Sequence, residues 1–253
     1  MSKEMTPAEL IAHITDAADD VKRLLQDFAS SSRHDFQKRA MLLGYWLKTY
    51  TKYLRREDFF DPHSVPNYKR GSIIQVDFGY RIGSELGGLH YAVVMNNLSH
   101  YNADVLLVVP LSSLHGRTTL SRYQIHLEDG VYATLNQKAT GLLQQANILL
   151  SDAVELKKGF DYIENRDELT ILQSTYASKL RSAKILFDSA TEVLDGITHL
   201  KDGSIALVGQ TTTISKMRIK RPLKKTDILY GTRLSARDMD AINNALKELY
   251  IFK

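Results

Sequence analysis

The sequence predicts an α+β protein, in which a mostly antiparallel β-module is combined with helices that precede and interrupt it. Two observations predict this class. In several stretches apolar residues recur at steps of three and four, as on one face of a helix. In others they alternate with polar residues or form short valine-rich runs, as in strands. The 253 residues, 43% of them hydrophobic, allow one or two domains with an apolar core.

Residues 1–60 are predicted to form a helical hairpin. Thr6, Pro7 and Glu9 have the form of a capping box with proline at the first helical position. Two apolar seams follow, one on each side of the break "SSSRHD". They consist of Leu10, Ile14, Ala17, Val21, Leu24 and Phe28, and of Phe36, Ala40, Leu43, Leu47, Tyr50 and Leu54. The two helices could pack on each other, and they could equally pair with a second copy of the chain.

A linker that contains Pro62 and Pro66 leads into the β-module, because two prolines prevent the second helix from continuing. The module is predicted over residues 69–253. Its candidate strands are "IQVDF", "HYAVVMNN", "ADVLLVVPLSS", "RYQIHLE" and "GSIALVGQTTTI". Their valine content and their alternation are typical of buried and half-buried strands.

A helical insertion at about 128–202 interrupts the β-module. Within it, Asn165 and Glu168 suit the start of a long helix, and Gly196 suits its end. A last helix is predicted over residues 235–250, where apolar residues line one face.

Composition narrows the class of protein only broadly. The chain has no cysteine, which excludes a disulfide framework and a cysteine-based metal site and fits a reducing cytoplasm. The start lacks the apolar stretch of a signal peptide, and no run reaches the roughly 18 apolar residues of a membrane span. We therefore expect a cytoplasmic protein without a membrane partner. The net charge of +4 permits a polyanionic partner, but a basic surface without such a role explains it equally well.

Five stretches of the sequence occur in the order found in a known family. They are "KRGSIIQVDFGYRIGSELGG" (69–88), "YAVVMNN", "VLLVVPLSS", "SIALVGQTTTISKMRI" and "LSARDMDAINNALKELY". Through them the chain resembles the MazF/PemK family of toxin endoribonucleases over about residues 69–121 and 203–252. The resemblance implies a small SH3-like antiparallel β-barrel of the MazF/CcdB type, usually a homodimer, whose groove a cognate antitoxin blocks. The N-terminal helices and the insertion have no counterpart in the minimal family member.

The same resemblance implies a set of site residues. In the family a catalytic arginine usually follows the two glycines, but this chain has His90 at that position. Ser112 corresponds to the family's catalytic threonine or serine, and Gln210 corresponds to the glutamine before its next loop. The arginine often found two residues later is Thr212 here. Glu85 in the glycine turn is carried over as a further site residue.

These residue types suit cleavage of RNA without a metal or a cofactor. The 2′-hydroxyl must lose a proton, the leaving 5′-oxygen must gain one, and donors must stabilise the charged phosphorane. A histidine can act as base or acid, and an arginine fits phosphate. Because the family arginine is missing, a nearby arginine would have to supply the charge, while glycines let the backbone approach the phosphate. The predicted site consists of His90, Ser112 and Glu85 as catalytic residues and of Arg81, Gly87, Gly88, Arg117, Arg122 and Gln210 as RNA contacts.

Three functions stay open on the sequence alone. The first is the toxin of a type II toxin-antitoxin system, a metal-independent endoribonuclease with single-stranded RNA, a second copy and an antitoxin as partners. The second is a non-catalytic interaction protein on the same barrel, as in CcdB, which acts on DNA gyrase. The third is RNA binding without turnover. The glycine turn and the nearby arginines favour the first function, while the missing arginine and the added helices favour the second. His90 would be a hydrogen-bonded structural residue, and Ser112 only the end of a strand, if neither has a catalytic role.

Overall fold

The computed structural model describes residues 5–97, 103–114, 119–128, 130–198, 203–227 and 229–251. The chain divides into two compact units. The first contains the described residues up to Phe60 together with Gly79–Gly88, and the second contains Asp61–Phe78 and the described residues from Leu89 onward. Among the described residues, no helix combines the length and the apolar character needed to cross a membrane.

The first unit is built on a helical hairpin. Helix α1 spans Pro7–Ser30, and helix α2 spans His34–Leu54. The predicted capping box at the start of α1 is confirmed. The backbone N–H of Thr6 donates to the Glu9 carboxylate at 2.8 Å, and the Thr6 hydroxyl accepts from the Glu9 N–H at 3.3 Å. None of the described residues on either helix is buried.

The second unit contains a sheet and three further helices. Its strands are β1 (Ile73–Asp77), β2 (Leu89–Val94), β3 (Val105–Ser113), β4 (Ile125–Leu127), β5 (Ser204–Ala206), β6 (Thr212–Ser215) and β7 (Ile219–Arg221). Its helices are α3 (Val131–Lys158), α4 (Arg166–Gly196) and α5 (Ala236–Tyr250). The α+β class predicted from the sequence is confirmed by this mixture of helices and antiparallel strands.

The described strands form an open sheet, so the expectation of a closed barrel is wrong. They pair antiparallel in the order β4-β5-β3-β2-β1-β7, and β6 pairs with the first half of β3. Helices, rather than a closing strand pair, bury the apolar face. Val93 and Val109 of the sheet belong to the same buried cluster as Val131 of α3, Val193 of α4 and Ile242 of α5. Since this packing already removes the face from water, closure of the sheet is not required.

Helices α3 and α4 form a second hairpin, whose contact surface is made of small residues. Helix α4 begins at the predicted cap, where the Asn165 side chain accepts from two backbone N–H groups. The buried residues include alanines spaced by seven on both helices, which allows the two backbones to approach closely. These are Ala139, Ala146 and Ala153 on α3 and Ala183 and Ala190 on α4. Whether residues 1–60 and 69–253 behave as separate domains stays a prediction.

Candidate active site

A cavity of about 210 Å³ lies where β2 and β3 separate. The last described rung of their ladder pairs Ala92 with Pro110. Beyond this rung, β3 continues along β5 through Leu111–Ser113. The residues that follow the rung on each strand line the cavity: Leu89, His90 and Tyr91 from β2, and Leu111, Ser112 and Ser113 from β3.

The register brings two predicted catalytic residues to this cavity. His90 and Ser112 lie two residues beyond the Ala92–Pro110 rung on their strands, where no further rung is described. Both residues are partly buried and line the cavity. The structure therefore brings His90 and Ser112 to one cavity, while their catalytic roles stay a prediction.

A row of three side chains crosses the sheet beside these residues. Gln75 of β1 pairs with Tyr91 of β2 on one side and with Arg221 of β7 on the other. Side chains of directly opposed residues lie on the same face of a sheet. All three residues line the cavity, and since successive strand residues point to opposite faces, their side chains lie on the face opposite to that of His90. The last turns of α4 provide the remaining wall through Glu192, Val193 and Gly196.

Arg221 gives the cavity a fixed positive charge. Its guanidinium contacts the Glu192 carboxylate at 2.8 Å and the Asp227 carboxylate at 3.1 Å. Burial works to lower the pKa of Arg221, but the hydrogen bonds and charges of Glu192 and Asp227 outweigh it and raise the pKa above its ordinary value. The side chain keeps 31% of its surface exposed, so the cation is both held in place and accessible from the cavity.

Tyr91 provides a neutral hydroxyl in the same cavity. Burial raises the pKa of the phenol, the charge of Arg221 lowers it in part, and the charge of Asp227 raises it again. The net direction is upward, so the phenol keeps its proton at neutral pH and can donate a hydrogen bond.

Two other predicted RNA contacts lie outside the lining of this cavity. Gln210 lines a cavity of about 320 Å³ together with Tyr123. The guanidinium of Arg122 lies 4.9 Å from the centre of the Tyr123 ring and donates to its hydroxyl at 2.7 Å. The structure therefore does not bring Gln210 or Arg122 into the lining of the His90 cavity. Arg117 lies outside the described residues.

The glycine turn belongs to the first unit, and its glycines have a local structural reason. A Cβ atom on Gly79 would lie 2.5 Å from the Trp46 ring of α2, and a Cβ atom on Gly87 would lie 2.7 Å from the Gly79 carbonyl oxygen. The Gly88 N–H donates to the same oxygen at 2.8 Å. The turn thus needs glycine in order to pack on itself and on Trp46, and RNA contact by Gly87 and Gly88 stays a prediction.

The two charged residues predicted in this turn lie close to each other. An Arg81 guanidinium nitrogen is 3.6 Å from a Glu85 carboxylate oxygen. Glu85 is well exposed and Arg81 is partly buried. The carboxylate therefore offsets part of the charge that Arg81 would offer to a phosphate. The roles predicted for both residues stay predictions.

Sequence reasoning missed Arg221 and Glu192. Arg221 lies in the stretch "RIKRP", three positions after Arg218, so the two arginines do not follow the period of two that marks a strand. Nothing in this stretch showed which strand would be its neighbour. Glu192 lies among exposed helix residues in the sequence, and nothing local distinguishes it from them.

A comparison with family models tests the resemblance noted in the sequence. Residues 69–183 match the model of the PemK-like, MazF-like toxin of type II toxin-antitoxin systems. The recognition made from the sequence is thereby confirmed for this segment. The matched PemK-like segment contains β1 to β4, and it also runs through α3 and into α4, which the sequence analysis had treated as an insertion. No curated protein matches the chain.

Proposed function

We propose that the chain is the toxin of a type II toxin-antitoxin system and that it cleaves single-stranded RNA in the cavity between β2 and β3. The observation that carries this proposal is the joint lining of one cavity by His90, Ser112 and Arg221. The PemK-like match supports the toxin class, and endoribonuclease activity is the general function of that family. A cognate antitoxin, a homodimer and a cytoplasmic location are parts of the same proposal.

The proposed reaction divides its chemistry between the three residues, whose side chains reach the phosphate from the two faces of the sheet through the gap between β2 and β3. His90 takes the proton from the 2′-hydroxyl, whose oxygen attacks phosphorus, or gives a proton to the leaving 5′-oxygen. Ser112 donates a hydrogen bond to a non-bridging phosphate oxygen. Arg221 stabilises the additional negative charge of the phosphorane, which is the role that the absent family arginine leaves open. The products are a 2′,3′-cyclic phosphate and a free 5′-hydroxyl.

Binding of a phosphate would require one exchange of partners at Arg221. The Glu192 carboxylate is 61% exposed and can leave for solvent, whereas the Asp227 carboxylate is only 13% exposed. A phosphate that replaces Glu192 would therefore find the guanidinium still oriented by Asp227. A charge-assisted, two-pronged contact of this kind is the one that arginine makes best with phosphate.

A second candidate is binding of RNA or of a protein target without turnover. The observation that favours it is the pairing of Arg221 with two carboxylates, which neutralise its charge in the chain alone. The same experiment separates the two candidates, because only the first predicts shorter RNA products.

Cleavage is tested by incubating the purified chain with a long single-stranded RNA in the presence of EDTA. We expect cleavage, and we expect His90→Ala to slow it by at least about 10²-fold, the usual contribution of a general acid or base. Arg221→Gln is expected to slow it as well. His126→Ala is the matched control, because His126 is an exposed histidine of β4 and does not line this cavity.

The possible results are distinct. Equal cleavage by the wild type and by His90→Ala would show that His90 is structural. A wild-type chain that binds RNA but never shortens it would replace the endoribonuclease with the second candidate.

A further inference from the structure

A second cavity lies beside the candidate active site, at the start of β1. Its volume is about 250 Å³, and its lining comes from the residues that lead into β1 and from the segment between β7 and α5. Leu229 lines both this cavity and the His90 cavity, so the two are neighbours. Because Lys69, Ser72, Tyr230 and Arg233 are among its lining residues, we call it the Arg233 cavity.

Backbone contacts hold two cations and a hydroxyl together at this cavity. Ser72 and Arg233 form an antiparallel bridge, which sets their side chains on the same face. The Ser72 N–H donates to the Lys69 carbonyl oxygen at 2.9 Å, and this tight turn keeps Lys69 next to Ser72. The Arg233 guanidinium donates through Nε to the Arg70 carbonyl oxygen at 2.9 Å, which restricts its orientation. The positive charges are therefore gathered at one end of the cavity.

These groups have no anionic partner in the described part of the chain. The lining of the cavity includes no aspartate or glutamate. Neither Lys69 nor Arg233 forms an ion pair with a described residue, and the Ser72 hydroxyl forms no hydrogen bond with one. The Asp227 carboxylate, in the same segment as Arg233, pairs with Arg221 at 3.1 Å instead. The Arg233 cavity thus has a positive charge that the described chain does not neutralise.

The remaining walls of the cavity are mainly rings. Pro66, Pro222 and Tyr230 line it, and 37% of the Tyr230 surface is exposed. Tyr68 lines it as well and donates from its hydroxyl to the Pro222 carbonyl oxygen at 2.7 Å. Burial and then the charge of Asp227 raise the pKa of the Tyr68 phenol, so this wall stays neutral at neutral pH. A neutral wall of rings beside a cationic end suits a flat ring that carries an anionic group.

We propose that the Arg233 cavity binds a small phosphorylated ligand with a flat ring, of the class of a nucleoside monophosphate. A phosphate carries a charge of about −1.5 to −2 at pH 7 and accepts charge-assisted hydrogen bonds, which Lys69 and Arg233 can donate. The Ser72 hydroxyl donates a further hydrogen bond to the phosphate, and the ring packs on Tyr230.

The size of the cavity favours a small molecule over an RNA strand. Its volume of about 250 Å³ is just below the roughly 300–1,000 Å³ of pockets that hold drug-sized ligands. A protein that holds a single strand instead uses a basic groove along which successive bases stack on several aromatic rings. The proposal does not depend on RNA cleavage, so it can hold in a chain that cleaves no RNA.

Binding is tested by adding adenosine 5′-monophosphate to the full chain and following backbone amide signals in NMR spectra. We expect the signals of Ser72 and Gly231 to shift and to saturate below about 1 mM ligand, because both residues line the cavity. Inorganic phosphate and adenosine should each shift the same signals with weaker affinity, since each supplies only one of the two contacts.

The contribution of the charges is tested by substitution. Lys69→Gln removes a cation that has no ion pair in the described chain, and it should weaken binding by at least about 10-fold. Arg233→Gln should weaken binding by at least as much, and its thermal unfolding is compared with that of the wild type because Arg233 also contacts Arg70. Lys225→Gln is the matched control. Lys225 is an exposed lysine of the same segment outside the lining, and its loss should change the affinity by less than about twofold.

Four results would overturn the proposal. The first is the absence of any shift at Ser72 and Gly231 in millimolar nucleotide. The second is a set of shifts confined to Tyr91 and Ser112, which would place the nucleotide in the His90 cavity. The third is equal weakening by Lys69→Gln and Lys225→Gln, which would indicate non-specific attraction. The fourth is a long single-stranded RNA that shifts the two signals while the mononucleotide does not, which would assign the cavity to RNA.

Discussion

Two helical hairpins occur in this chain, one formed by α1 and α2 and the other by α3 and α4. Both show apolar residues at helical spacing in the sequence. On α3 five residues are buried, among them Leu135, whereas none of the described residues of α1 or α2 is buried. The same sequence pattern thus occurs in one hairpin that contributes buried residues to a core and in another whose described residues are all at least partly exposed. Helical periodicity shows that a face needs a partner, but it does not show in which chain the partner lies.

The first turns of the two hairpins differ in where their stabilising groups lie in the sequence. The start of helix α3 is stabilised by distant residues: the Ser204 hydroxyl accepts from the Val131 N–H, and the Asp238 carboxylate accepts from the N–H groups of Glu128 and Gly130. The start of helix α1 is stabilised by the local residues Thr6 and Glu9. Formation of α3 is therefore coupled to the sheet and to α5, while the start of α1 depends on its neighbours in sequence.

The largest difference is expected for leucine truncation. Leu135→Ala in α3 removes a fully buried side chain and should lower the free energy of unfolding by about 2–5 kcal/mol. Leu24→Ala in α1 should lower it by less than about 0.5 kcal/mol, because the Leu24 side chain is 43% exposed. Urea unfolding followed by circular dichroism measures both. Similar losses for the two variants would show that α1 shares a core with the rest of the chain.

A smaller difference is expected at the start of α3. Asp238→Ala leaves two backbone N–H groups without their acceptor and should cost about 1–3 kcal/mol in the free energy of unfolding. Asp240→Ala, at an exposed position on the same helix, is the control and should cost little. If Asp238→Ala unfolds at the urea concentration of the control, the start of α3 does not depend on α5.

Local features of this fold were predictable from the sequence, and long-range ones were not. The caps at Thr6 and Asn165 and the helix end at Gly196 were predicted because a helix start or end is decided within a few residues. The closed barrel was expected wrongly because the ends of the sheet depend on pairs far apart in the sequence, such as Gln75 with Arg221.

The candidate site shows the same limit. His90 and Ser112 were both predicted, and they line one cavity because β2 and β3 are neighbours in sequence and in the sheet. Arg221 was missed because it reaches the cavity through the pairing of β7 with β1, two strands that lie far apart in the sequence. Gln210 was predicted from motif order, but the turn Val208–Gln210 carries it to the cavity that Tyr123 lines.

The smallest and most local effect is expected from the pH dependence of the α1 capping box. The hydrogen bonds from the Thr6 backbone N–H and then from its hydroxyl lower the pKa of Glu9 below its ordinary value. A carboxylate whose folded pKa is lowered stabilises the helix start above its unfolded pKa, and this contribution is lost as the pH falls through the folded pKa. Acidification should therefore unwind the first turn of α1.

This loss is measurable by following the Thr6 amide signal in NMR spectra during an acid titration. We expect the signal to shift with a midpoint below that of Glu9 in an unfolded peptide, and we expect Glu9→Gln to abolish the shift. Because none of the described residues of α1 is buried, urea unfolding should be nearly the same for Glu9→Gln and the wild type. A midpoint equal to that of the unfolded peptide would mean that the capping box does not form in solution. A large loss of global stability in Glu9→Gln would instead mean that α1 is coupled to a core. That result would contradict the difference inferred between the two hairpins.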